Sequence, residues 1–250
     1  MNDPFEGGRI AADDGSAVVD ALTRHGVALV EGLADSADLL RLAGSVATVV
    51  PHRDSASDGV TTLVDLGSTE GGAFAGFSSC ALAPHTDRSG VADPPALTIL
   101  SCSQPAVSGG QCVLIDGAAV HDTLAETAPD ALAALHAPRS VLFGGASGHF
   151  GAVFTECDDG RIVIRLRQDD LVRFSPEVSR WLPTLHAAID RHRVELDLSA
   201  GHGYVLDNHR WLHGRRAFTG HRVVHRVNGN PLLHLGIRTG IPARMRSSAP

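Results

Sequence analysis

Between Ala96 and Val227 the chain returns again and again to one local pattern, a short run rich in β-branched and aromatic residues. The runs are ALTILSC (Ala96–Cys102), CVLID (Cys112–Asp116), SVLFG (Ser140–Gly144), AVFTE (Ala152–Glu156), RIVIRL (Arg161–Leu166), GYVLD (Gly203–Asp207) and RVVHRV (Arg222–Val227). Separators such as SGG, ASGHFG and CDDG carry turn chemistry, so each run reads as a strand ended by a tight change of direction. Two helical insertions break the series. AAVHDTLAETAPDALAALH splits at Pro129, and SPEVSRWLPTLHAAIDRHRVEL opens with Ser175 as N-cap and Pro176 at the first helical position. A doubly wound fold needs strict strand–helix alternation, which this order lacks. The expected class is mainly β with flanking helices, built on a β-sandwich or jelly-roll core.

Ahead of the series, Asp14 to His25 has helical spacing and stops at Gly26. GVALVEG (Gly26–Gly32) reads as a strand, and Ser36 to Val49 as a second helix with Ser36 as its N-cap. Pro51 to Ser79 is rich in Ser, Gly, Thr and Asp and has little periodicity. Without a repeat or a linker, the 250 residues read as one domain. A helix-and-strand segment at about 10–50 would precede a core at about 75–235. The formal net charge of −7 offers no basic face for nucleic acid. Four cysteines without a C-x-x-C pair suit reduced thiols in the cytoplasm, and the start lacks the pattern of a signal peptide. No apolar run is long enough for a membrane helix.

The chemistry gathers around PHTDRSG (Pro84–Gly90). His85 and Asp87 stand two apart, so in an extended backbone imidazole and carboxylate project to one side and can converge on one ion. A third ligand is available far downstream, where His213 lies between a strand-like run and a basic, Gly-containing turn. Two histidines and one carboxylate make the facial triad of non-haem iron(II) oxygenases. Arg222 and Arg226 follow, four apart, and would share a face of a strand. A guanidinium is a two-pronged donor matched to a carboxylate, as needed by a dicarboxylate that chelates iron with its other end.

These motifs resemble the iron(II)/2-oxoglutarate-dependent dioxygenases of the taurine dioxygenase and clavaminate synthase-like superfamily. The resemblance rests on His85-Thr86-Asp87, Ser108-Gly109-Gly110 before CVLID, Asp207-Asn208-x-Arg210-x-x-His213-Gly214-Arg215, and Arg222-x-x-x-Arg226, and spans about Phe77 to Val227. It implies a double-stranded β-helix, with His85, Asp87 and His213 as iron ligands. Arg222 would take the distal carboxylate of 2-oxoglutarate, with Arg226 near this co-substrate or on an acidic group of the substrate. Relatives often carry a threonine two positions after the paired glycines, where its hydroxyl helps to bind 2-oxoglutarate; this chain has Cys112, a weak donor. The implied reaction consumes O2, decarboxylates 2-oxoglutarate to succinate and CO2, and hydroxylates an unactivated C–H bond. Halogenating relatives have a small residue at the carboxylate position, so Asp87 favours hydroxylation and leaves desaturation or ring closure open.

The substrate would be a small molecule, a free or carrier-bound amino acid or a related specialised metabolite. Arg88 and Ser89 directly follow the ligand pair and are candidates to face it. Asp169 and Asp170 fall in a segment that serves amino-acid-hydroxylating relatives as an acidic lid, which would select a basic group; a solvated charged turn is the plainer reading. Other readings stay open. A jelly roll of this kind could bind metal or ligand without turnover, and a zinc hydrolase using the same ligands leaves Arg222 and Arg226 unexplained. His209 with His213 lacks the glutamate of a helical zinc motif. GGASGH departs from a nucleophile elbow at His149. Trp181, at helical spacing with Leu182 and Leu185, reads as core, as do Cys102 and Cys112.

Overall fold

The computed structural model describes residue 5 and residues 7–67 and 72–242. Among these residues, eleven strands form two large sheets. In chain order they are β1 (Ile10–Ala11), β2 (Val27–Glu31), β3 (Ala47–Val49), β4 (Thr61–Leu63), β5 (Leu82–His85) and β6 (Leu97–Gln104). Then come β7 (Cys112–Asp116), β8 (Arg193–Leu196), β9 (Gly203–Asp207), β10 (Trp211–Arg215) and β11 (Val223–Pro231). The larger sheet runs β1-β2-β9-β6-β11-β3, with β4 also on β11; the smaller runs β8-β7-β10-β5. Shorter strands of the segment 141–174 and the pair Ser108–Gly109 with Phe218–Thr219 form small sheets of their own. Five helices flank them: α1 (Gly15–His25), α2 (Ser36–Val46), α3 (Gly117–Thr127), α4 (Pro129–His136) and α5 (Pro176–Arg191). The class is mainly β with flanking helices, as expected.

Both large sheets are packed on two faces, which explains why β6 and β9 read as nearly unbroken apolar runs. Leu29, Leu100, Tyr204 and Leu206 of the larger sheet meet Cys112, Leu114 and Trp211 of the smaller in one buried cluster. Behind the larger sheet, Ile99, Val205 and Val227 pack on Leu22, Leu39 and Leu42 of α1 and α2. Behind the smaller, Val113, Ile115 and Leu212 pack on Leu124, Leu135 and Leu185 of α3, α4 and α5.

Several sequence expectations shift. α2 ends at Val46, and residues 47–49 leave it as a strand paired with Gly229 to Pro231. Its cap is Asp35, whose carboxylate accepts from the backbone of Ala37 and Asp38 while Asp38 reaches back, a full capping box. α5 stops at Arg191, and RVEL, read as its last turn, is β8 on the edge of the smaller sheet. Trp181 is half-buried, with Arg180 over its ring, while Leu185 is core.

A partly buried ion pair ties the smaller sheet to the chain leading into β10. Arg210 donates through Nε and Nη2 to both oxygens of Asp116 at 2.9 and 2.6 Å, and Asp116 Oδ1 also caps α3 at Ala118. Asp116→Ala leaves the guanidinium buried and unpaired and removes the cap. It should lower the free energy of unfolding by about 3 kcal/mol or more, read from denaturant melts; a change within about 0.5 kcal/mol, the usual range for surface substitutions, would contradict this.

Candidate metal and co-substrate site

His85 closes β5 and His213 lies in the middle of β10, directly opposite it in the ladder. Gly214 is what lets the two strands come so close beside His213: a Cβ there would sit 2.6 Å from the Leu82 carbonyl oxygen, and the register shifts at this point. Along β10 the side chains of Trp211, His213 and Arg215 alternate toward the inter-sheet space, and all three are buried. Asp87 lies in the turn after β5. The following residue, Arg88, adopts a left-handed φ of 54°, rare for a side chain with a Cβ.

The three ligand atoms offered by His85, Asp87 and His213 all lie within 4.8 Å of one another. Asp87 Oδ1 is 3.9 Å from His85 Nε2 and 3.7 Å from His213 Nε2. His85 Nδ1 is 2.9 Å from the Ala83 carbonyl, which fixes the tautomer and leaves the Nε2 lone pair toward Asp87. Burial pushes the His85 imidazole down to about 4, with His213 beside it adding to the effect, so near pH 7 it is a neutral donor. Burial works against the charged form of Asp87, yet Arg226, His213 and His85 together hold its carboxyl well below the usual range. A neutral imidazole with a free nitrogen and a carboxylate held ionised are the forms a divalent metal requires. The donor set and its spacing fit iron(II).

The larger sheet supplies a cradle that the sequence reading did not identify. Asp87 Oδ2 accepts from Thr98 Oγ1 of β6 at 3.0 Å and from Asn228 Nδ2 of β11 at 2.9 Å. Arg226 Nη1 donates to Asp87 Oδ1 at 2.8 Å. Asn208 clamps the Asp87 backbone from both sides, accepting from its N–H at 2.7 Å and donating to its carbonyl at 3.1 Å. The available signal was faint: Thr98 is one of two hydroxyls in the run ALTILSC, and Asn228 stands two past Arg226 and so on the same face.

Arg222 and Cys112 meet deeper between the sheets. Arg222 is 6% exposed, its guanidinium lies over Phe218, and it has no acidic partner among the described residues. Its Nη2 is 4.0 Å from Cys112 Sγ, a weak contact. Gly109 and Gly110, both at positive φ, make the turn into β7, and a Cβ on Gly109 would strike the Ala217 carbonyl oxygen at 2.1 Å. A buried guanidinium without a counterion is costly, and an anion placed beside it would offset that cost.

A cavity of about 560 Å³ opens beside the cluster, within the range of small-molecule sites. His85, Asp87, Arg88, Ser89, Asp169 and Arg226 line it. Asp169 is not a free acid there, since its Oδ1 accepts from Arg167 Nε at 2.5 Å. Asp170 is exposed and outside the lining. Arg88 donates to the Pro51 carbonyl. His209 bonds Thr239 and the Pro94 carbonyl, apart from His213.

The family model described as "Taurine catabolism dioxygenase TauD, TfdA family" matches residues 5–228. A uridine-5'-phosphate dioxygenase of Amycolatopsis sp is 31% identical over 134 residues, covering 48% of this chain and 49% of that protein. The chain thus spans about half the length of the curated relative it matches. Among solved structures, an asparagine oxygenase complexed with Fe(II), 2S,3S-3-hydroxyasparagine and succinate aligns with a TM-score of 0.71 at 18% identity, over 87% of this chain and 78% of that one. The non-heme iron oxygenase OrfP with Fe and alpha-ketoglutaric acid aligns at 0.67 and 17% identity, over 92% and 84%. At such identities the likeness is one of fold.

Proposed function

Since the chain belongs to the taurine catabolism dioxygenase TauD, TfdA family, we propose that it is an iron(II)/2-oxoglutarate-dependent oxygenase that hydroxylates a small amino-acid-like or specialised-metabolite substrate. In this reading it is one dioxygenase domain, and its two large sheets are the halves of a double-stranded β-helix. The observation that carries the proposal is the joint presence of the His85/Asp87/His213 cluster and the buried, acid-free Arg222.

His85, Asp87 and His213 would hold iron(II), which when bound supplies the oxidative chemistry coupling 2-oxoglutarate decarboxylation to attack on a C–H bond. The chain's own residues set the conditions for it. The Ala83 carbonyl orients His85 through Nδ1; Arg226, with His213 and His85, keeps Asp87 ionised, and the hydrogen bonds from Arg226, Thr98 and Asn228 aim it. Arg222 would receive the distal carboxylate of 2-oxoglutarate. The cavity would take the substrate, with Arg88, Ser89 and Arg226 as contacts. Asp169 and Asp170 contribute less to this reading than their charge suggests, because one is ion-paired and the other lies outside. Support for an amino-acid-like substrate comes from the structurally similar proteins that hold hydroxyasparagine and (3S)-hydroxy-L-Arg.

Anaerobic titration with Fe(II) and 2-oxoglutarate tests the proposal. A weak visible charge-transfer band is expected, and with oxygen and a metabolite panel, succinate. No band and no succinate would overturn it. The cradle carries its own expectation: Asn228→Ala removes one of the donors on Asp87 Oδ2 and should weaken Fe(II) binding roughly 10- to 100-fold, measured by competition with a chelator. Unchanged affinity would mean that the hydrogen bond does not orient the carboxylate.

A further inference from the structure

Cys112 leaves the pocket around Arg222 short of a hydroxyl. Its thiol is buried and pushed up to about 11 by that burial, so it stays protonated and donates weakly. A phenol is present in the same space. Tyr204, on β9, is 1% exposed and packs in one cluster with Cys102, Cys112 and Val224. Its ladder partner on β6 is Leu100, and the partner of Leu100 on β11 is Arg226, so Tyr204 and Arg226 flank one leucine on the inner face. Its hydroxyl makes no hydrogen bond to another described residue.

We propose that Tyr204 supplies the hydroxyl that the cysteine at position 112 cannot, donating its phenolic O–H to the distal carboxylate of 2-oxoglutarate beside the Arg222 guanidinium. The inference rests on the co-substrate reading given above. Burial holds the phenol well above its ordinary range, with Cys112 and Asp87 adding and Arg222 and Arg226 opposing, so the hydroxyl keeps its proton and acts as a donor.

The test uses the Fe(II)-loaded protein without oxygen and two probes, 2-oxoglutarate and 2-oxobutyrate, which has the same chelating head but no distal carboxylate. Binding is read by calorimetry for the parent chain, Tyr204→Phe, and Tyr204→Phe with Cys112→Thr. Tyr204→Phe should weaken 2-oxoglutarate by about tenfold or more, as expected for a hydrogen bond to a charged group, and leave 2-oxobutyrate unchanged. Adding Cys112→Thr should recover part of the loss. The melting temperature without ligand should not fall, because the hydroxyl removed has no partner. Equal 2-oxoglutarate affinity in the parent and Tyr204→Phe overturns the proposal, as does an equal loss for both acids or no recovery with threonine. Absence of 2-oxoglutarate binding by the parent chain would instead overturn the co-substrate reading.

Discussion

His213→Ala is expected to abolish the charge-transfer band that Fe(II) and 2-oxoglutarate give together, and to cut succinate formation by at least about a hundredfold. Residues that merely support a ligand already cost 10–100-fold when removed, and His213 would be a ligand itself. Two remaining donors two residues apart, His85 at the end of β5 and Asp87 in the turn after it, hold a metal poorly. The fold should survive. Inside the protein His213 Nδ1 has no hydrogen-bond partner among the described residues, so alanine strands no other polar group through that atom. Near-native melting of the metal-free variant, together with loss of the band, is the expected pair of results. A band of unchanged intensity would remove His213 from the metal site.

Arg222→Leu should raise the 2-oxoglutarate concentration needed for half-saturation by about thirtyfold or more. Truncating one member of a buried, hydrogen-bonded charge pair costs about 2–5 kcal/mol, and about 1.4 kcal/mol corresponds to a factor of ten. The same change takes away a buried charge that faces no acid in the unliganded protein, so the unliganded variant should be no less stable than its parent. Affinity lost without stability lost separates a binding role from a packing role. Unchanged dependence on 2-oxoglutarate, measured by succinate release across a concentration series, would refute the role given to Arg222.

Legibility in the sequence followed the burden each strand carries. β6, β7, β9 and most of β11 were readable because their faces bury Leu, Ile and Val with few exceptions. β10 was not. Its inward positions hold Trp211, His213 and Arg215, so the apolar alternation that marks a strand is replaced by the site's own chemistry. β5 contains Pro84 and ends on a candidate ligand, while β8 alternates charged and apolar residues and follows a helix without a break in composition. The smaller sheet is thus the part that sequence pattern describes least.

The site divides in the same way. His85, Asp87 and His213 were found because ligand chemistry depends on residue type, and the ladder brings the two histidines face to face. Arg226 was expected near the co-substrate or substrate; in the structure it bonds Asp87 and lines the cavity at once. Thr98, Asn228 and Tyr204 were invisible because hydroxyls and amides inside strands are common, and only pairing across three strands shows what they face.

The two imidazoles belong to the smaller sheet, while the groups that grip the carboxylate between them come from the larger. The cluster is therefore a seam joining two layers, and its bite depends on how far apart the layers stand. That spacing, ordinarily near 10 Å for stacked sheets, is set by Leu100, Leu114 and Leu206 filling the gap. Apolar side chains that never touch a ligand thus act as the shim that gauges the metal site, and a methylene more or less among them would be felt as a change in grip.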